Sequence, residues 1–95
     1  MIKLIIDLMS VENISKNNYG VKFLLIVIDI FSRFLLVRPL MNKRSQTVLS
    51  AFKDVLKTRK FKKARSYKGS EFTNSEFRKF LKENGIFHDI KHTKS

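Results

Sequence analysis

Phe23-Leu24-Leu25-Ile26-Val27-Ile28, closed by Asp29, is an unbroken apolar run. It is too short for a buried helix, and its composition reads as a central strand covered on both faces. Asp29 to Arg33 then makes a turn, with the Asp29 carboxylate placed to accept from turn amides before Ser32 and Arg33. Phe34-Leu35-Leu36-Val37 follows as the next strand, stopped by Pro39. Upstream, Ile2-Lys3-Leu4-Ile5-Ile6-Asp7-Leu8 is β-branched and apolar, a strand ending near Asp7. The polar stretch from Glu12 to Gly20 joins the two as a loop or wide hairpin turn.

Beyond Pro39 the period changes. Val48, Ala51, Phe52, Val55 and Leu56 share one helical face, with Ser45 as the expected N-cap. Ala64-Arg65-Ser66-Tyr67 is a short strand, and Lys68-Gly69 a turn. Thr73-Asn74-Ser75-Glu76 fits a capping box flanked by Phe72 and Phe77, and Gly85 is placed to end that helix. Ile86-Phe87-His88-Asp89-Ile90 supplies a fifth strand. The order β-β-β-α-β-α-β predicts one α/β domain over residues 1–95.

Composition narrows the function. With 43% hydrophobic residues and nine Phe, the chain can build a core and is not a disordered segment. The absence of Cys excludes a disulfide framework and a thiolate zinc site. His88 and His92, the only imidazoles, are read as surface residues. No segment reads as a membrane span or a cleavable leader, which suits a nuclear or cytoplasmic location. The net charge of +12 is concentrated in the second half. Residues 1–40 carry five basic and three acidic side chains, whereas 41–95 carry fifteen and five. The run from Lys57 to Lys68, with Lys60, Lys62, Lys63 and Arg65 inside it, contains no acid. Such a field either serves as a solvated face or attracts a polyanion, and DNA bound through its phosphates is the expected partner.

Three segments carry a family resemblance. Ile6-Asp7-Leu8, then Phe23 to Phe34 with its Val-Ile-Asp-Ile-Phe-Ser-Arg-Phe ending, then Lys68-Gly69-Ser70-Glu71-Phe72-Thr73-Asn74 resemble the integrase core of retroviruses and LTR retrotransposons. The resemblance implies a transposable-element origin and a ribonuclease-H-like mixed sheet. That family's chemistry needs three carboxylates around two divalent ions, Mg2+ or Mn2+. Asp7 matches the first carboxylate and so the first metal ligand. Tyr67 occupies the position of the second, where a phenol, neutral at pH 7, is a poor ligand for a hard cation. The third, a Glu on a helix after the fifth strand, is expected beyond Ser95. Asp29 is not one of the three, and Ser70 carries over as a possible DNA contact.

The resemblance therefore implies an integrase-type polynucleotidyl transferase core, truncated and catalytically inactive as it stands. The alternative is a non-enzymatic, basic nucleic-acid-binding module on the same fold, gripping DNA through Lys60, Lys62, Lys63, Arg65, Lys68 and Ser70 without base selectivity. An unrelated ribosomal-type protein would account for the charge and leave the matching segments unexplained. Without C-terminal helices, one face of the sheet is expected to stay uncovered, favouring marginal stability or self-association.

Overall fold

A computed structural model of the chain describes residues 3–12, 19–58, 60–67 and 69–91. Strand β1 runs Lys3–Ser10, β2 Phe23–Asp29 and β3 Phe34–Leu40. Helix α1 covers Ser45–Leu56 and leads to β4, Lys63–Tyr67. Two short helices follow, α2 at Ser70–Thr73 and α3 at Ser75–Glu83, before β5 at Phe87–Lys91. The expected α/β order holds, with its last helix divided in two. Most of the Glu12–Gly20 loop lies outside the described residues.

The five strands form one mixed sheet in the order β3-β2-β1-β4-β5. β1 pairs antiparallel with β2, and β2 with β3, whereas β1–β4 and β4–β5 are parallel. The parallel steps need crossovers, and α1 and the α2–α3 pair supply them. Side chains alternate between the two faces of each strand. Leu4 and Ile6 of β1, Leu25 and Val27 of β2 and Ala64 of β4 point to one face and are fully buried. There they meet Val48, Phe52 and Val55 of α1, Phe72 of α2, and Phe77 and Leu81 of α3. The Phe77 ring joins this layer, its centroid 5.3 Å from Phe52 and 5.5 Å from Phe72.

Among the described residues, no helix covers the other face. Ile5 and Ile26 stand on it, together with Ile28, Leu35 and Val37, of which Leu35 is 56% exposed. This half of the face, across β1, β2 and β3, is mainly apolar, with Asp7 an exception. On β4 and β5 the same face carries Lys63, Arg65, Tyr67, Asp89 and Lys91.

Several local expectations need correction. β1 continues past Asp7 to Ser10, because β2 offers partners along its whole length, Met9 to Leu24 and Ser10 to Phe23. Pro39 does not stop β3, which runs to Leu40. β3 is an edge strand, and the Leu40 carbonyl accepts from the Lys22 N–H at 2.9 Å, so the neighbouring Pro39 nitrogen turns away from the ladder. Ser45 is the first residue of α1, and Arg44 holds the N-cap position without a side-chain bond. The capping box at Thr73 is also absent. Asn74 leaves the helical region (ψ 158°) and serves both neighbours at once. Its Oδ1 accepts from the Phe77 N–H at 2.9 Å, while its Nδ2 donates to the Ser70 carbonyl at 2.8 Å. Thr73 instead donates its hydroxyl to the Gly69 carbonyl at 2.9 Å.

Asp29 has the turn-holding role expected of it. Only 3% exposed, its carboxylate accepts from the Phe31 N–H at 3.0 Å and the Ser32 hydroxyl at 2.9 Å. The turn closes through Arg33 at φ 60°.

Because α1 and α3 share their hold on the sheet through Phe52, truncating it leaves a void under both. Phe52→Ala is expected to cost about 3–5 kcal/mol, a large part of the stability of a domain this small. Urea denaturation followed by circular dichroism should show the variant largely unfolded at 25 °C.

Candidate functional site

The parallel register of β1 and β4 ends with Ile6 beside Ser66. Continued one step further along both strands, that register sets Asp7 beside Tyr67 on the same face. On the other side of Tyr67, β5 brings Lys91 into register. The carboxyl ends of the parallel strands therefore present a row of three side chains: acid, phenol and ammonium. Asp7 is half-buried, and its Oδ1 accepts from the following Leu8 N–H at 2.8 Å. Below the row, Arg65 and Asp89 face each other and form an ion pair at 3.0 Å.

Beyond Tyr67 the chain turns sharply. Gly69 has extended backbone, and a side chain there would collide with the Glu71 carboxylate, whose Oε1 would lie 2.9 Å from the added carbon. The Gly69 carbonyl collects the N–H groups of Phe72 and Thr73, both at 2.9 Å. Glu71 is thus folded against the turn, and Ser70 is exposed at the start of α2.

The expected DNA contacts are not all brought together. Lys63 and Arg65 lie on the same face as Tyr67, in a column along β4. Lys60 and Lys62 are exposed but precede β4, about 17 Å or more from Tyr67 along an extended strand. Lys63 also leans over the Phe87 ring, 5.8 Å from its centroid, and the charge of Arg65 is offset by Asp89. Lys68 lies outside the described residues. Sequence reasoning missed Lys91, because no local pattern reveals which residue a parallel neighbour sets beside Tyr67.

Sequence reasoning also read His88 as an ordinary surface residue, whereas it is half-buried. In β5 it shares the helix-facing side with Ile86 and Ile90, and alternation alone could have shown this. Its Nε2 lies 2.6 Å from the hydroxyl of fully buried Ser66, and its ring packs 5.9 Å from that of Phe77. Nδ1 is buried without a hydrogen-bond partner among the described residues. Burial, reinforced by the Arg78 charge and opposed in part by Asp89, holds the imidazole below its ordinary value of 6.5. His92 lies outside the described residues.

Could a metal fit? Among the described residues, no group of three or more His, Cys, Asp or Glu side chains could hold one. Beside Asp7 the register sets a phenol, and beyond it an ammonium, neither of them a carboxylate. Asp89 is paired with Arg65, and Glu71 lies folded beside Gly69. The residues present do not fit a two-metal centre.

The integrase core domain family matches residues 4–95 of the chain. The chain belongs to that family. It is 42% identical over 73 residues to an uncharacterized transposon-derived protein of Caenorhabditis elegans, a match covering 75% of the chain and 26% of that protein. The catalytic core domain of BIV integrase, known from a crystal structure, superposes with a TM-score of 0.80 at 13% identity. That match covers 98% of this chain and 56% of the other, and at such identity it shows the ribonuclease-H-like fold alone. The chain thus spans about a quarter of its worm relative and just over half of the viral chain.

The environment of His88 has a consequence for stability. The unfolded chain takes up a proton near pH 6.5, whereas the folded chain resists until lower pH, so acidification favours unfolding. This contribution is complete above pH 6.5 and is lost as pH falls toward the folded value. The urea midpoint is expected to drop between pH 7.5 and 5.5, and His88→Gln should flatten that slope.

Proposed function

We propose that this chain is an integrase-type core whose metal-dependent strand-transfer chemistry is disabled, leaving phosphate-driven DNA binding as its activity. The observation that carries this reading is the Asp7–Tyr67–Lys91 row at the carboxyl ends of β1, β4 and β5. Divalent ions at a two-metal centre sit roughly 3.5–4 Å apart, so their ligands must converge, and one carboxylate must bridge. Here Tyr67 offers a phenol in place of a second carboxylate, and the ammonium of Lys91 repels a cation. Asp7 by itself offers Mg2+ or Mn2+ a single carboxylate. No step through a metal is therefore assigned.

The same side chains suit a polyanion. A phosphate approaching this end of the sheet meets Lys91 and the column of Lys63 and Arg65 below it. Lys60 and Lys62 extend the positive field at the other end of β4. Contacts of this kind position a duplex and do not read its bases.

Two measurements bear on this reading. Strand-transfer assays with a labelled DNA end and either Mg2+ or Mn2+ should give no product, and robust product formation would contradict the proposal. Duplex binding should weaken steeply with salt, with a log–log slope of about −4.5 for five neutralised phosphates, and Lys63→Glu should reduce that slope by about one. Binding that ignores ionic strength would count equally against it.

A further inference from the structure

On the helix-covered side, the sheet ends at β5, and α3 runs beside this edge. Between them lies an open groove of about 710 Å³. One wall is cationic, formed by Arg78, Lys79 and Lys82 of α3. The floor is apolar, with Leu81 and Ile90 beside His88, and no carboxylate contributes to the lining.

The main chain of β5 is the second half of the observation. Among the described residues, only β4 pairs with β5. The Phe87 N–H donates to the Lys62 carbonyl at 2.8 Å. In a parallel ladder each residue turns its N–H and C=O to the same side, alternating along the strand. Phe87, Asp89 and Lys91 therefore face β4, whereas His88 and Ile90 direct their N–H and C=O groups outward, along the groove. An edge with both donors and acceptors is a template for one more strand.

We propose that the β5 edge and the facing side of α3 form a docking groove for an extended acidic peptide, which joins the sheet as a sixth strand. Backbone pairing with His88 and Ile90 supplies the hold, and alternate carboxylates reach the cationic wall. Charge complementarity selects the partner, since all three charges lining the groove are positive. A nucleic-acid strand satisfies the edge poorly. Phosphates accept hydrogen bonds but cannot donate to the outward carbonyls, and the Phe87 ring lies beneath Lys63 on the opposite face, away from the groove. The groove shares no residue with the Asp7–Tyr67–Lys91 row.

The test uses the full chain and a fluorescein-labelled ten-residue peptide of alternating Glu and Val. Anisotropy should show saturable binding, and hydrogen exchange at the His88 and Ile90 amides should slow when peptide is added. Three changes should each weaken binding by about tenfold or more: N-methylating the peptide amides, replacing its Glu by Lys, and reversing charge in Arg78→Glu/Lys82→Glu. Those α3 side chains are exposed, so the double variant should melt as the parent does. The proposal is overturned if the peptide fails to bind, or if the N-methylated or lysine version binds equally well. It is also overturned if a ten-residue oligothymidylate alone protects these amides, which would make the groove a nucleic-acid site. Protection that rises with protein concentration in the absence of peptide would likewise replace the peptide with a second copy of the chain.

Discussion

The parallel pairing of β1 with β4 is the constraint on which the rest depends. It places residues distant in sequence at neighbouring positions, and its register fixes which ones. Because Ile6 stands beside Ser66, the next pair is Asp7 with Tyr67, and the β4–β5 pairing adds Lys91. On the opposite face the same two pairings set Ser66 close to His88 beneath α3. A slip of one residue would exchange the two faces, placing Asp7 among the phenylalanines of the core. The buried residues forbid this, since Leu4, Ile6, Ala64 and Ser66 are all fully covered.

The sheet consequently has two unlike sides. One is closed by three helices over a layer of aromatic rings and contributes the cohesion. The other is bare, apolar over β1, β2 and β3 and charged over β4 and β5, and the Asp7–Tyr67–Lys91 row crosses the boundary. A bare face of this kind leaves Leu35, Val37 and Ile28 in contact with water, so part of the apolar content read in the sequence does not contribute to the core.

Much of the fold was legible because long apolar runs and helical spacing are strong local signals. Phe23–Asp29 is β2 as read, and the Val48–Leu56 stripe is the buried face of α1. The errors occurred where a neighbouring element decides. Pro39 reads as a stop unless its strand is known to be an edge, and β1 extends as far as β2 continues to pair with it. At Thr73 the pattern for one cap was present, but Asn74 caps both helices with a side chain that both donates and accepts. Of the candidate site, Asp7 and Tyr67 were named through family resemblance, while their adjacency and the neighbouring Lys91 emerge only from strand register; the inward side of His88 was legible in the alternation of β5.

The proposed loss of metal chemistry turns on a phenol at Tyr67 in place of a second carboxylate beside Asp7, and a manganese titration followed by water proton relaxation tests this directly. The parent chain is expected to show only weak, non-saturating enhancement. Tyr67→Asp should create a saturable Mn2+ site that Asp7→Asn removes from the double variant. Saturable Mn2+ binding by the parent as strong as that of Tyr67→Asp, or an Asp7-independent site in the variant, would contradict it.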